Sequence, residues 1–254
     1  MTTQTILTPY FLDQHLPGLE ELLKPDWVRN FQDLPGSEVL LRMSALHGAI
    51  AREVDRVISA NNLPVSIAGD CCTTIGVLSG LKRAGIDPFL IWFDAHGDFN
   101  TRETSPSGFL GGMPLAILAG LGDQNLLELL DLDPLPQEQI ILTDGRDLDP
   151  GEMELVTSSE ITHLKDPAEL LDYSFPDRPI WVHFDTDVVD PLEIPAQNYL
   201  AEGGPNKEQL GEIFQHLAET GQIQAVSLSS WAPDLPGSEQ SRDVSLELLE
   251  ILKG

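Results

Sequence analysis

The sequence predicts a three-layer αβα sandwich around a doubly wound, mainly parallel sheet, on three observations. Short apolar runs rich in β-branched and aromatic residues recur along the chain, stretches with a one-sided helical period separate them, and no cluster of turn residues divides the chain. Continuous apolar runs are the pattern of strands buried on both faces, as parallel sheets require. Strands alternating with helices make right-handed βαβ crossovers, which cover the sheet on both sides.

Strands are expected at 63–68, 88–93, 139–143, 179–184 and 223–228. The clearest helix covers 37–60, where Val39, Leu40, Met43, Leu46, Ala49, Ile50, Val54 and Ile58 keep one apolar face. Further helices are expected at 73–84, 114–121, 207–218 and 238–252. The 21 glycines and 19 prolines are spread over turns rather than gathered into a linker, so residues 1–254 read as a single domain. In such a sheet ligands bind beyond the carboxyl ends of the strands, so chemistry is sought there.

With 41% hydrophobic residues over 254 positions, the chain can bury a sizeable core. Asp and Glu number 41 against 14 Lys and Arg, a net charge of −27. Such a surface repels polyphosphate, which argues against nucleic acid and anionic membranes as partners and leaves a small molecule as the expected one. No apolar run approaches the length of a bilayer span, and residues 1–9 lack the basic start and apolar stretch of a signal peptide, so a cytoplasmic location is expected. The two cysteines, Cys71 and Cys72, are adjacent and cannot staple the fold.

Three expected strand ends carry polar clusters. One runs into Asp94-Ala95-His96-Gly97-Asp98, and alternation along an extended chain puts Asp94, His96 and Asp98 on one side. Another ends in Asp185-Thr186-Asp187, with the same spacing, and the first ends in Gly69-Asp70-Cys71-Cys72. Carboxylates gathered this way repel one another unless a cation neutralises them, and a pair of divalent ions does so. The alternative is that each acid caps the helix that follows. One Asp per strand end suits capping; D-x-H-x-D together with D-x-D suits it poorly.

These motifs resemble those of the arginase/agmatinase (ureohydrolase) family, G-G-D-H, D-A-H-x-D and S-x-D-x-D-x-x-D-P. They are matched by Ala68-Gly69-Asp70-Cys71, by Asp94-Ala95-His96-Gly97-Asp98, and by the stretch from His183 to Pro191. The resemblance runs from about residue 35 to Pro233 and implies an arginase/deacetylase-like sandwich with a binuclear Mn²⁺ centre. Carried over by position, one metal takes Cys71, Asp94, Asp98 and Asp185, and the other His96, Asp94, Asp185 and Asp187, with Asp94 and Asp185 bridging. Two such metals hold a hydroxide that attacks a planar carbon.

Three departures bear on function. Cys71 replaces a metal-binding His, and its soft anionic thiolate tilts preference from Mn²⁺ towards Zn²⁺ or Fe²⁺; alternatively it is a small buried residue without metal contact. Gly111 stands where S-G-N-L-H-G has its proton-shuttling His, and a glycine transfers no proton. Ser230, in Leu228-Ser229-Ser230-Trp231-Ala232-Pro233, replaces the Glu that pairs with a guanidinium, so free L-arginine is disfavoured. Asp98 and His183 are the candidate acid–base residues, although His183 lies one pleat deeper and reads first as a core or supporting residue. Asn100, Ser107 and Asp149 match positions that hold an amino-acid substrate; Gly145 to Glu152 also reads as a turn and helix cap. Phe109 replaces a polar carboxylate-binding residue, and Trp231 supplies either an apolar wall or core packing.

Together these residues imply a metallohydrolase cleaving a linear C–N bond of a guanidino or amidino amino-acid derivative, such as an N-hydroxyguanidino compound. An amide hydrolase, by analogy with deacetylases sharing the fold, is the second reading; a catalytically silent metal-binding regulatory protein is the third. Homo-oligomer formation is left open.

Overall fold

A computed structural model describes residues 2–254. The strands are β1 (Thr2–Thr8), β2 (Tyr10–Phe11), β3 (Gln14–His15), β4 (Val28–Arg29), β5 (Asn62–Ala68), β6 (Phe89–Asp94), β7 (Ile140–Asp144), β8 (Thr162–Leu164), β9 (Ile180–Asp185) and β10 (Ile223–Ser229). The helices are α1 (Val39–Ser59), α2 (Thr74–Arg83), α3 (Pro114–Leu118), α4 (Asn125–Leu129), α5 (Pro150–Ser158), α6 (Lys207–Glu219) and α7 (Ser238–Lys253). Eight strands form one sheet in the order β4-β1-β5-β10-β9-β6-β7-β8, and every neighbouring pair is parallel. Strands β2 and β3 form a separate antiparallel hairpin.

The sheet residues alternate between two cores. Ile6, Leu90, Trp92, Leu142 and Trp181 pack with α1, α2 and α3, whereas Leu7, Val65, Ile91, Phe93 and Phe184 pack with α6 and α7 on the other face. Each fully buried side chain of this size contributes about 1.5–3 kcal/mol. The expected strands and helices are all present, with most ends shifted by a residue or two. The third expected helix stops early, at Leu118, because the chain turns at Gly120 with φ of 78°.

Several elements escaped the hydrophobic pattern. Strand β1 begins on exposed Thr2, while β4 and β8 are edge strands of two and three residues, too short to show a period. Helix α5 continues the stretch expected as a turn and cap, started by Pro150 and an Asp149/Glu152 capping box. Among the described residues no helix is long and apolar enough to cross a membrane.

Strands β5 and β6 follow each other among the sheet strands in sequence but lie three places apart, because β10 and β9 insert between them. The four neighbouring strands β5, β10, β9 and β6 therefore open their carboxyl ends onto one crevice.

Candidate metal centre

Strand β5 delivers Cys71 through a tight turn. A Cβ at Gly69 would lie 2.4 Å from the Tyr10 carbonyl oxygen, so glycine is what lets the β2–β3 hairpin pack there. Asp70 spends both oxygens on backbone, accepting from Cys72 N–H at 2.9 Å and Leu12 N–H at 2.6 Å. Cys71 is the residue left facing the crevice; its thiol donates to Asp185 Oδ2 at 2.8 Å. Cys72 is fully buried, its thiol 3.6 Å from the Leu110 carbonyl oxygen.

Strand β6 ends at Asp94, whose carboxylate accepts from Trp92 Nε1 at 3.0 Å and His96 N–H at 2.7 Å. The extended run stops there, so His96 and Asp98 do not converge by alternation. A loop returns them, with Asp98 in the left-handed region at φ of 48°. Asp98 Oδ2 is buried and has no hydrogen-bond partner among the described residues, a costly arrangement for a carboxylate facing only protein. From β9, Asp185 Oδ1 accepts from Asp187 N–H at 2.9 Å and Oδ2 from the Cys71 thiol and the Ser230 hydroxyl. Asp187 accepts from Ala95 N–H at 3.1 Å and stands 3.0 Å from His96 Nδ1. Capping bonds are thus present at Asp70, Asp94 and Asp185, but they leave acids of two different strands converging on one point.

Cys71, Asp94, His96, Asp98, Asp185 and Asp187 line one cavity of about 250 Å³, room for a molecule of amino-acid size. Burial, then the Asp94 and Asp185 charges, hold the Asp98 carboxyl far above the usual range; burial, then Asp185, raises Asp94. Burial, then Asp187, pushes Asp185 up to about 7, and burial, then Asp94, pushes Asp187 up to about 6. Burial opposes protonation of His96, but Asp187 and Asp94 outweigh it and push the imidazole up to about 12. Burial, then the charges of Asp185, Asp98 and Asp94, holds the Cys71 thiol far above its usual value. A single imidazolium faces four carboxyl groups and a thiol, so the cluster calls for added positive charge.

Donor atoms of Cys71, Asp94 and Asp98 lie within 4.8 Å of one another, as do those of Asp94, His96 and Asp187 and those of Cys71, His183 and Asp185. With the unpaired Asp98 oxygen, these donor sets fit divalent cations.

The raised acids predict how the cation-free protein responds to pH. A carboxyl whose folded pKa exceeds its unfolded value binds protons more tightly when folded, so its contribution is lost as pH rises from about 4 through 6–7. His96, raised to about 12, adds a loss in the same direction above its unfolded value of 6.5. Buried His183 and His47, both lowered to about 3, act oppositely, but only below 6.5. Chelator-treated protein is therefore expected to melt at lower temperature at pH 8 than at pH 6, and added cations should raise melting most at pH 8. A melting temperature indifferent to both would contradict the clustering.

Around this floor, Asn100 Nδ2 donates to Asp149 Oδ2 at 3.0 Å, which pairs the two across the cavity wall. Ser107 lies on the exposed rim and accepts from Phe109 N–H at 3.2 Å. Ser230 has φ of 75° and turns its hydroxyl onto Asp185. The Phe109 ring covers Gly111: a Cβ there would lie 2.3 Å from its edge.

Two expected site residues do not line the cavity. His183 is fully buried below the cavity floor and does not line it; burial pushes its imidazole down to about 3, which favours the neutral ring and works against an acid role. Trp231 packs in the α6–α7 core and donates from Nε1 to the Ser238 carbonyl at 2.9 Å, because its chain segment turns away after Ser230. Glu152, Phe11 and Tyr199 are among the lining residues not singled out. Glu152 accepts from Phe99 and Asp149 N–H at 2.8 and 3.1 Å and fixes the loop carrying Asp98; the end of the G-x-R-D-x-D-P-x-E match signals it. Phe11 and Tyr199, which flank Phe109 in an aromatic wall, carry no local signal.

The sequence model described as "Arginase family" matches residues 22–251, further at both ends than the motifs indicated. Arginase of Bacillus subtilis (strain 168) is 32% identical over 217 residues, covering 81% of this chain and 73% of that protein. N(omega)-hydroxy-L-arginine amidinohydrolase of Streptomyces lavendulae is 33% identical over 174 residues, 66% of this chain and 61% of that one. A crystal structure of arginase from Bacillus subtilis superposes with a TM-score of 0.84 at 26% identity, covering 100% of this chain and 99% of the other.

Proposed function

The chain belongs to the arginase family of metal-dependent C–N hydrolases, and from that premise we propose that it cleaves an N-hydroxyguanidino amino acid. The observation that carries this choice is the rest of the cavity lining: Gly111 lies under the Phe109 ring and the Ser230 hydroxyl is bound to Asp185. Neither position offers a proton or a counter-charge to a guanidinium. An N-hydroxyguanidine is less basic and loses its charge more readily, which lessens its need for such a carboxylate, while its central carbon remains open to attack.

Cys71, Asp94, Asp98 and Asp185 are assigned to one cation and His96, Asp94, Asp185 and Asp187 to the other, with Asp94 and Asp185 shared. Divalent cations held there supply Lewis acidity and a water ionised near neutral pH. Mn²⁺ suits the carboxylate-rich set, and Cys71 favours Zn²⁺ or Fe²⁺. The paired Asn100 and Asp149, with Ser107 at the rim, are assigned to the amino-acid end of the substrate. Water oxygen adds to the guanidino carbon, the bond to the chain nitrogen breaks, and that nitrogen leaves as an amine after taking one proton. Asp98, which lines the cavity, is assigned to accept the proton from water and return it to the leaving nitrogen.

Turnover of cation-loaded protein on guanidino, N-hydroxyguanidino, amidino and amide compounds tests this reading. N-hydroxy-L-arginine is expected to be the best substrate, and preference for an amide would overturn it.

A further inference from the structure

Two of the positions at which the chain departs from the motifs it resembles involve a histidine at the strand ends. Cys71 stands at the histidine of G-G-D-H, and His183 stands at the serine of S-x-D-x-D. The fold brings these two exchanged side chains together: donor atoms of Cys71, His183 and Asp185 lie within 4.8 Å of one another, and all three residues are buried. The imidazole is held in one orientation. Its Nδ1 lies 2.9 Å from Ser227 Oγ, that oxygen accepts from Trp181 Nε1 at 3.0 Å, and the imidazole ring packs 3.9 Å from that of Trp92. Nε2 is thereby turned towards Cys71. A histidine with one nitrogen fixed by a protein partner and the other facing a thiol and a carboxylate has the arrangement of a metal-ligating imidazole.

We propose that His183 Nε2 ligates the cation on the Cys71 side, so that the imidazole lost at position 71 returns from the neighbouring strand, beside a thiolate. A cation bonded at about 2.3 Å to sulfur and 2.0–2.2 Å to nitrogen and oxygen needs donors roughly 3.2–3.8 Å apart. Cys71 Sγ and Asp185 Oδ2 stand 2.8 Å apart and all three donors lie within 4.8 Å, a spacing that brackets this range. Ser229 Oγ now bonds to all three groups, at 3.0 Å from Cys71 Sγ, 3.4 Å from His183 Nε2 and 3.4 Å from Asp185 Oδ2, and it is the group the cation displaces. Sulfur and nitrogen donors make this ion Zn²⁺- or Fe²⁺-selective, whereas the oxygen-rich partner site keeps a place for Mn²⁺. The inference rests on the binuclear reading above.

Titration of chelator-stripped protein with Co²⁺ tests it, read by the near-ultraviolet thiolate-to-cobalt absorption, the visible ligand-field band and ions bound per chain. Wild-type protein is expected to show the sulfur absorption. His183→Gln should weaken the sulfur-linked ion by about tenfold or more and shift its visible band, leaving the other ion unchanged. In a Cys71→His background, where the ligand is restored at its other position, the same change should cost less than about twofold. X-ray absorption of the Zn²⁺-loaded wild type needs no variant to fold, and two imidazoles with one sulfur over the two ions are expected. One imidazole, or an unchanged affinity and band in folded His183→Gln, overturns the proposal. Two ions without the sulfur absorption overturn it while leaving the binuclear reading intact; no bound ion overturns both.

Discussion

Asp185→Ala and Asp94→Ala are each expected to abolish hydrolysis and the binding of both cations together. Each carboxylate belongs to both assigned donor sets, so a single deletion removes a ligand from two ions at once. The loss in kcat/KM should exceed the ~10²–10³-fold typical of removing one electrostatic stabiliser. Asp185 also ties Cys71, Ser230 and Asp187 into one corner, so its removal loosens three further groups. Elemental analysis and turnover on the same preparation, with melting as a control for folding, check the claim. A folded Asp185→Ala variant that carries two cations would contradict it.

L-arginine and agmatine are expected to be turned over at least ~10²–10⁴-fold more slowly than N-hydroxy-L-arginine, the range attributed to general acid catalysis. The motif match puts Gly111 at the position of a proton-shuttling histidine and Ser230 at that of a carboxylate partner for a guanidinium. A charge-assisted bond of the missing kind contributes about 1.5–3 kcal/mol. Restoring the histidine alone should fail, since a Cβ at position 111 meets the Phe109 ring at 2.3 and 2.5 Å. Gly111→His combined with Phe109→Asn frees that space and should raise arginine turnover above either single variant. Arginine turnover equal to that of the hydroxylated compound in the unaltered protein would refute the assignment.

The strands that build this site were legible because β5, β6, β9 and β10 are short apolar runs rich in β-branched and aromatic residues, too short for a buried helix. The acids at their ends were legible for a related reason, as buried carboxylates in repeated spacing have few uses. Edge strands β4 and β8 are too short for any period, and the N-terminal hairpin that supplies Phe11 reaches the crevice only through the tertiary packing at Gly69. His96 and Asp98 line the cavity with Asp94, but a left-handed turn rather than the expected pleat returns them. Alternation placed His183 on the side of Asp185, and depth in the sheet then separated it from the cavity. Trp231 could not be assigned from sequence, because one residue beyond Ser230 decides between wall and core.

Metal content per chain measured against turnover of N-hydroxy-L-arginine tests the paired-cation centre most directly. Stripped protein reconstituted in steps should regain hydrolysis only as the second equivalent binds. Full activity at one equivalent or less would contradict it.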